Sequence, residues 1–377
     1  MRLAELLAAL SLGIDLGFGQ PMEHVLRQCL LALRIADRVG LNGQQRAAVY
    51  YTALLVNVGC HTDAHEQAKW FGDDIALKSL KYRQELRGLR STVSGMRRIG
   101  AGKPPLRRLR TGVEFALGGY REMDGMIVQH ARMARALGKD LQLPPDALDA
   151  LAACYEEWDG HGWPGEVHGD AIPIASRIAQ FAEFMEVAHR TSGVAGAIAL
   201  AERRSGRQFD PGLVACLRSD AADLLDAVDR ADTWQAVIAA EPALGRALEP
   251  DELELALGAI ADFVDLKSPY TLGHSRAVAE LAGAAGVQAS LVEEEIRTLR
   301  QAALVSGFGR LGVSNAIWDK RGPLGPGEWE RVRLYPYLTE RMLQQSEALA
   351  PLRRIAVTVR ERMDGSGYPR GLTGSAL

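Results

Sequence analysis

The stretch RERMDGSGYPRGLTG, residues 360–374, determines how this chain is organised, because a near copy, EEWDGHGWPGEVHG, occupies residues 156–169. Both stretches contain the pattern Asp-Gly-x-Gly-aromatic-Pro, and the two aspartates are 205 residues apart. Glycine takes positive φ without strain and proline fixes φ, so each pattern predicts a rigid turn. The turn residues are Asp159, Gly160, Gly162, Trp163 and Pro164 in the first copy and Asp364, Gly365, Gly367, Tyr368 and Pro369 in the second.

The spacing of other residues also repeats along the chain. One separation of 35 residues and one of 29 residues occur twice. The positions compared are His24 to Gly59 with His274 to Gly309, and His130 to Asp159 with Tyr335 to Asp364. Agreement in two independent spacings predicts a duplicated unit. The stretch between the two blocks is 71 residues in the first copy and 26 in the second, so the first copy carries an insertion of about 45 residues.

Apolar residues recur at helical spacing along most of the chain, for example in VLRQCLLALRIADRVGL (residues 25–41) and SRAVAELAGAAGVQA (residues 275–289). No stretch alternates in the manner of a strand, so we expect an all-α fold. The prediction is two helical bundles in tandem, the second truncated at its C-terminus. The first would cover residues 1–220, with an insertion at about 78–122, and the second residues 251–377, after a linker at 221–250.

The composition is that of an ordinary globular protein, with 47% hydrophobic and 24% charged residues. Its four cysteines are far apart, which argues against a disulfide framework or a zinc ribbon and suits a reducing compartment. The apolar N-terminus is interrupted by Glu5 and Asp15, so its uncharged run is too short to cross a bilayer. We therefore expect a cytoplasmic protein with no membrane partner.

The insertion is strongly basic, although the whole chain has a net charge of −3. Eleven Lys or Arg and a single acid lie between Lys78 and Arg110. Such a run could hold phosphate groups, with Arg97 and Arg98 as candidates, or could be a solvated loop. The sequence leaves both interpretations open.

Taken together, these blocks resemble the HD-GYP branch of the HD-domain phosphohydrolases. The second copy is similar through LVSGFGRLGVSNAIWDKRGPLGPGEWERVRLYPYLTERML (residues 304–343) and the turn at 360–374. The first copy is similar through YEEWDGHGWPGEVHGDAIPIASRIAQFAE (residues 155–183) and RRSGRQFDPGLV (residues 203–214). The resemblance implies two or three divalent metal ions that lower the pKa of a bridging water and clamp a phosphodiester. Relatives of this layout often carry a C-terminal LuxR-type helix-turn-helix.

Most of the metal ligands that the resemblance implies are missing from this sequence. In the second copy the His-Asp pair reads Ser306–Gly307, the next histidine is Tyr335, and the His-His pair is Val359–Arg360. In the first copy the corresponding pairs read Val56–Asn57 and Cys154–Tyr155. His274 remains in the second copy.

Three candidate ligands remain in the first copy: His24, His130 and Glu183, the last in the place of an aspartate. The stretch CHTDAHE (residues 60–66) adds Asp63 and His65. These residues could hold one divalent ion such as Fe or Mn. The alternatives are that His24 and His130 are ordinary buried histidines and that Asp63 caps a helix. We expect no cofactor, or at most one metal ion in the first unit.

Loss of the His-Asp pair from both copies favours an inactive regulatory module. One alternative is a divergent metal-dependent phosphohydrolase of cyclic di-GMP or another phosphodiester, working in the first unit. Another is a sensor that binds a cyclic dinucleotide or other phosphate ligand through Arg310 and Arg360 without chemistry, with fixed charge in place of metal charge. Further expectations are homo-oligomers, a protein partner at the glycine-rich turns, and DNA binding only through a segment beyond this chain.

Overall fold

A computed structural model describes residues 1–82, 98–101, 104–242 and 247–376, without the side chains of 119–124. Over these ranges the backbone forms helices, turns and three isolated bridges, and no strand. The prediction of an all-α fold is confirmed. None of the helices in these ranges combines the length and the apolar character needed to span a lipid bilayer.

The first part of the chain forms eleven α-helices within the described residues, in the order that follows. They are α1 (Leu3–Gly17), α2 (His24–Arg38), α3 (Gly43–Leu55), α4 (Ala64–Phe71), α5 (Asp74–Lys78), α6 (Pro105–Glu114), α7 (Tyr120–Asp140), α8 (Pro145–Ala152), α9 (Ile174–Arg204), α10 (Pro211–Asp229) and α11 (Thr233–Ala239). Short 3-10 turns at Val58–His61 and Ser79–Tyr82 follow α3 and α5, and a π turn at Phe115–Gly119 follows α6.

The second part of the chain forms seven more α-helices within the described residues. They are α12 (Pro250–Asp265), α13 (His274–Gln288), α14 (Glu293–Val305), α15 (Asn315–Trp318), α16 (Pro326–Arg333), α17 (Tyr335–Leu343) and α18 (Ala350–Ala356). A 3-10 turn at Phe308–Gly312 follows α14. We call residues 1–242 the first unit and residues 247–376 the second unit. The stretch 221–250, for which we expect a linker, contains the end of α10 and all of α11.

Helix α1 lies between the two units and is buried on all sides. Its leucines, such as Leu6 and Leu10, are inaccessible to solvent. It contacts α2 of the first unit and both α17 and the turn Phe308–Gly312 of the second. A helix that is apolar all round is stable only when covered on every face, which explains why α1 needs both units.

The two units use the same local contacts at equivalent positions. Helices α2 and α13 have 15 residues each, and α3 and α14 have 13 each. The carboxylate of Asp15 accepts the backbone N–H of Val25 at 3.0 Å, and that of Asp265 accepts the N–H of Ser275 at 2.7 Å. Each carboxylate thereby satisfies one of the N–H groups that a helix leaves unpaired at its start.

The glycine-rich turns are also held in one way. Glu156 accepts the backbone N–H of Gly165 at 3.0 Å, and Glu361 accepts that of Arg370 at 2.7 Å. Both glutamates precede their turns and lie inside the loop that the turn closes. Buried or half-buried backbone donors need such partners, so these carboxylates fix the shape of the loops.

Two glycines are required by close approach of the backbone after α3 and α14. A Cβ atom on Gly59 would lie 2.0 Å from the carbonyl oxygen of His130, and one on Gly309 would lie 1.9 Å from that of Tyr335. No side chain fits at such distances. The two positions that the resemblance assigns to a metal-binding histidine, His130 and Tyr335, are thus pressed against the turn in both units.

A buried carboxylate fastens the units together. Oδ2 of Asp74, at the start of α5, accepts Nζ of Lys78 at 3.1 Å and Nζ of Lys267 at 3.3 Å. Oδ1 accepts the hydroxyl of Ser314 at 2.7 Å and the backbone N–H of Asn315 at 2.9 Å. Three of these four donors belong to the second unit.

Candidate functional site

In the first unit, His24 begins α2 and bonds a glutamate that lies one turn beyond the predicted ligand Glu183. Its Nδ1 lies 2.5 Å from Oε2 of Glu186, and both side chains are buried. Arg27 donates from Nε to the other oxygen of Glu186 at 3.0 Å. Burial raises the pKa of Glu186, but the bonds and charges of His24, Arg190 and Arg27 outweigh burial and lower it. Glu186 is therefore a carboxylate with its charge already compensated.

Glu183 contacts three side chains that close around it. Its Oε1 accepts Nδ2 of Asn57 at 2.6 Å and the hydroxyl of Tyr82 at 2.7 Å, and it pairs with Nζ of Lys81. Lys81 also donates to Oδ1 of Asn57 at 2.7 Å. Burial raises the pKa of Glu183, but the Lys81 ammonium and the two hydrogen bonds more than offset this and lower it. The glutamate is ionised, and all three contacts are made by Oε1.

His130, the third predicted ligand, lies in a separate group of contacts. Its Nδ1 is 3.4 Å from Sγ of Cys60, and its Nε2 is 2.9 Å from Oδ2 of Asp63. Sγ of Cys60 also lies 2.9 Å from the hydroxyl of Tyr155. Burial lowers the pKa of His130, but the charges of Cys60 and Asp63 outweigh it and raise the value to about 10. Burial in turn raises the pKa of Cys60, and His130 brings it below its ordinary value.

Asp63 and His65, the other two predicted metal ligands, point to different neighbours. Asp63 is the N-cap residue of α4, but its side chain accepts Nε2 of Gln67 at 2.9 Å instead of a backbone N–H. Nδ1 of His65 lies 2.7 Å from Oδ2 of Asp319 in the second unit. His65 therefore joins the two units and does not meet His24.

The side chains of the first unit do not fit a metal ion in this arrangement. His24 is engaged with Glu186, Glu183 with Lys81, and His130 with Cys60 and Asp63. Across the part of the chain that the structure describes, no group of three or more His, Cys, Asp or Glu side chains is placed to hold an ion. A bound divalent ion needs several such ligands directed at one point, and here they are directed at each other.

The second unit presents a pair of arginines at the equivalent place. Arg310 follows the first glycine of the turn Phe308–Gly312, and Arg360 precedes the glycine-rich turn. Both guanidinium groups lie over the ring of buried Tyr335, at 5.8 and 5.9 Å from its centroid. Nε of Arg360 donates to the Tyr335 hydroxyl at 2.8 Å. The two positive charges thus share one aromatic ring as a neighbour.

The arginine pair retains unused hydrogen-bonding capacity. Nε and Nη1 of Arg310 are buried and have no partner among the described residues. The carboxylate of Asp265 adds a negative charge nearby, but both of its oxygens are bonded to Ser275. Burial lowers the pKa of Arg310, which nevertheless stays charged at neutral pH. Because these two donors are buried, an anion at this place would bond the outer N–H groups of Arg310, on the side of Nη2.

His274 begins α13 at the rim of this pair and is exposed. Its Nε2 is 3.4 Å from Nη2 of Arg310. Burial of part of the ring and the charge of Arg310 lower the pKa of His274. Its imidazole is neutral at pH 7. Tyr368, in the glycine-rich turn, is half-buried and electrostatically coupled to Tyr335 and both arginines.

A large cleft of about 1400 Å³ lies between the units, apart from the arginine pair. Its walls include the predicted phosphate ligand Arg98 together with Lys69, Arg107, Lys320 and Tyr270. Arg97, the other predicted ligand of the basic insertion, lies outside the described residues. The placement of Arg98 in this cleft leaves its role as a phosphate ligand a prediction.

Sequence reasoning missed Lys81, Tyr82 and Glu186 as parts of these contacts. Glu186 follows Glu183 at i+3 and so lies on the same face of α9, which is a signal that the spacing contains. Lys81 is one of eleven basic residues between Lys78 and Arg110, and nothing in its local sequence distinguishes it from the others.

Comparisons with known proteins show what this chain is similar to. A family model described as HD domain matches residues 258–377. The chain is 30% identical over 379 residues to the 3'3'-cGAMP-specific phosphodiesterase 3 of Vibrio cholerae, with 100% of this chain and 82% of that protein aligned. It is also 32% identical over 127 residues to a cyclic di-GMP phosphodiesterase of Thermotoga maritima, 32% of this chain and 34% of that one. A crystal structure of a cyclic GMP-AMP specific phosphodiesterase from V. cholerae superposes with a TM-score of 0.69, at 26% identity and with 96% and 86% of the chains covered.

The chain belongs to the HD-domain phosphohydrolase family. The prediction of an inactive regulatory module is wrong, because the relative that aligns with the whole chain is a phosphodiesterase. That interpretation rested on the loss of the His-Asp pair. It assumed that a protein without these metal ligands has no catalytic activity. The finer assignment to the HD-GYP branch, the tandem layout and the LuxR-type segment stay predictions.

Proposed function

We propose that this protein is a phosphodiesterase that opens cyclic dinucleotides by hydrolysis of a phosphodiester bond. The observation that carries the proposal is the 30% identity over the whole chain to a 3'3'-cGAMP-specific phosphodiesterase. The arginine pair of the second unit, Arg310 and Arg360, is the place that suits the substrate best. It combines two fixed positive charges with a neutral imidazole in an exposed position.

The arginine pair supplies the charge stabilisation that the reaction needs. A phosphodiester carries one negative charge, and more charge develops on its oxygens as water adds. The donors for such oxygens are Nη2 of Arg310, which faces His274, and the remaining N–H groups of the exposed Arg360, whereas Nε and Nη1 of Arg310 are buried. Because Tyr335 holds both guanidinium groups in place, little reorganisation is needed when the charge forms.

His274 is the group that would accept the proton of the attacking water. Nε2, facing Arg310 at 3.4 Å, is the unprotonated nitrogen when the imidazole is neutral. Once Arg310 bonds the phosphate, Nε2 is open to a water placed against phosphorus. General base catalysis by a positioned imidazole contributes typically 10²–10⁴-fold to a rate. The proton would pass from the water to Nε2, and the ribose oxygen would leave with a proton from solvent.

The test is hydrolysis of 3'3'-cGAMP and cyclic di-GMP by the full chain, with the linear dinucleotide measured by chromatography. We expect turnover by the native protein, and a fall of about 10²–10³-fold in kcat for Arg310→Ala. Arg135→Ala is the matched control, since Arg135 is an exposed arginine of the first unit that pairs with Asp149 and should leave the rate unchanged. The assay is repeated with a chelator and with added Mn²⁺.

Three results would contradict the proposal or the role that it gives to the arginine pair. One is binding of the cyclic dinucleotide without any linear product, which is the behaviour of a sensor. Another is full activity in Arg310→Ala, which would move the chemistry away from the arginine pair. A rate that vanishes with the chelator and returns with Mn²⁺ would show that an ion, and not fixed charge, does the work.

A further inference from the structure

We propose that the Lys81 ammonium group is a built-in cation that occupies the position of a metal ion in the first unit. The inference concerns a different unit from the proposed phosphodiesterase site and does not depend on it. It starts from the disagreement between the family, whose chemistry uses metal ions, and a first unit whose candidate ligands are directed at one another.

The contacts of Lys81 are those of a bound cation. Its Nζ bonds Oδ1 of Asn57 at 2.7 Å and pairs with Oε1 of Glu183. Asn57 and Glu183 stand at the two carboxylate positions that the resemblance assigns to metal ligands. Oxygen atoms of this kind are the ones that hard cations take. The Lys81 side chain is 11% exposed and Glu183 is 3% exposed, so the pair is closed off from solvent.

Aromatic rings complete the cage around the ammonium group. Nζ of Lys81 lies 4.6 Å from the centroid of Phe18 and 5.1 Å from that of Tyr82. Ring faces attract a cation at such distances. The Tyr82 hydroxyl donates to Glu183 at 2.7 Å, so the residue after Lys81 also fixes the acceptor. Oxygen ligands and aromatic rings therefore surround one positive charge.

Charge balance explains why asparagine stands at position 57. A divalent ion between two carboxylates gives a neutral group, and so does an ammonium between one carboxylate and one amide. Lys81 contributes one positive charge, Glu183 one negative charge and Asn57 none. The two replacements, Asn57 for an acid and Lys81 for a metal ion, therefore balance each other in charge. Two carboxylates around the single charge of Lys81 would have left one negative charge buried without compensation.

The origin of the cation gives a function to the start of the basic insertion. Lys81 and Tyr82 belong to the turn Ser79–Tyr82, which enters the insertion directly after α5. The insertion thus brings a tethered charge into the pocket of the first unit. A tethered ammonium cannot be exchanged or chelated, so this unit keeps its shape independently of metal supply.

The proposal is tested by opening the cation position in the full chain. We expect Asn57→Asp with Lys81→Ala to restore the acid, remove the ammonium and create a Mn²⁺ site. After equilibration with Mn²⁺ and gel filtration, elemental analysis should find about one equivalent more metal than in the native protein. Glu183→Gln added to this double variant should abolish the gain. Lys139→Ala, at an exposed lysine of α7, is the matched control and should bind no more metal than the native chain.

A single variant covers the case in which the double variant does not fold. Lys81→Met keeps the length of the side chain but leaves Glu183 without its cation, so its melting temperature should fall and should recover on addition of Mn²⁺. The native protein should show no such response. A native first unit that binds one equivalent of Mn²⁺, lost in Glu183→Gln, would overturn the inference. So would folded variants that gain neither metal nor thermal recovery.

Discussion

Replacement of Asp74 by asparagine tests how the two units are held together. The variant keeps the size of the side chain and an oxygen acceptor but removes the negative charge. Nζ of Lys78 and of Lys267 then remain buried, at 4% and 3% side-chain exposure, with no carboxylate between them. Asp74 itself is stabilised as an anion: burial raises its pKa, and the charges of Lys267 and Lys78 more than reverse this.

The expected cost follows from the charges left behind. Removal of one partner of a buried ion pair typically costs about 3–5 kcal/mol, because the other charge stays without compensation. Here two ammonium groups lose one shared partner, so we expect the upper part of that range at pH 7. Ser314→Ala is the matched control. It removes the neutral hydroxyl that donates to the same carboxylate at 2.7 Å and that caps α15 at the N–H of Ala316, and it should cost about 1.5–3 kcal/mol.

The pH dependence of this loss gives an independent check. Burial lowers the pKa of Lys267 to about 8, below its ordinary 10.5, even with Asp74 present. A lysine whose pKa is lower in the folded state than in the unfolded state destabilises the folded protein below the folded-state pKa. This destabilisation decreases as the pH rises from about 8 towards 10.5. Without Asp74 the charged lysine destabilises the folded state more. The difference in the free energy of unfolding between the variant and the native protein should therefore be greatest at pH 7 and shrink towards pH 10.

Urea denaturation followed by tryptophan fluorescence, at pH 7 and pH 9.5, measures both effects. A loss of less than about 1 kcal/mol in Asp74→Asn would refute the view that this carboxylate compensates two buried cations. An equal loss at the two pH values would refute the electrostatic origin and leave only a packing change.

Three further outcomes follow from other parts of the structure. Gly309→Ala should destabilise the protein by about 1–3 kcal/mol or more, because a Cβ atom at this position would clash with the backbone of Tyr335. Gly327→Ala, where a Cβ atom meets nothing within 4 Å, should be tolerated, and denaturation curves give the free energy of unfolding of both variants. Burial and a neighbouring guanidinium lower the pKa of His274, so the midpoint of the fall in cyclic dinucleotide hydrolysis on acidification should lie below the ordinary imidazole value of about 6.5; a midpoint above that value would contradict the neutral base. The pKa of His130, raised to about 10, should drop in Cys60→Ser, because the charge of Cys60 is the largest of the influences that raise it. NMR titration of the histidines measures this pKa, and an unchanged value would exclude the ion pair between His130 and Cys60.

The helical architecture was predictable because apolar spacing and repeated intervals report directly on packing. The 35-residue interval from His24 to Gly59 corresponds to a helix, a second helix and a turn, and the same elements occupy the interval that starts at His274. The turn glycines were predictable for a similar reason, since few residues allow the backbone to come so close. Such features depend on local chemistry, which a sequence shows.

The contents of the site were less predictable, because they depend on side chains that meet only in the folded chain. His24, His130 and Glu183 were found by their positions in motifs, but the partners Glu186 and Lys81 were not. Lys81 is 102 positions from Glu183 along the chain, and one lysine in a basic run gives no sign of being buried. The activity was misjudged for a related reason, since absent ligands were counted and the arginines that replace them were given less weight.

The carboxylates of Asp15, Glu156, Asp265 and Glu361 hold backbone N–H groups and belong to no part of the proposed chemistry. These carboxylates therefore hold the loops around each pocket in shape, whereas other side chains determine what the pocket binds. A protein engineer could replace the pocket side chains, for example arginines by histidines or a lysine by a metal ligand, without changing the conformation of the loops. Mutational drift has the same freedom, and a scaffold of this kind can change what its pockets attract long before it loses its shape.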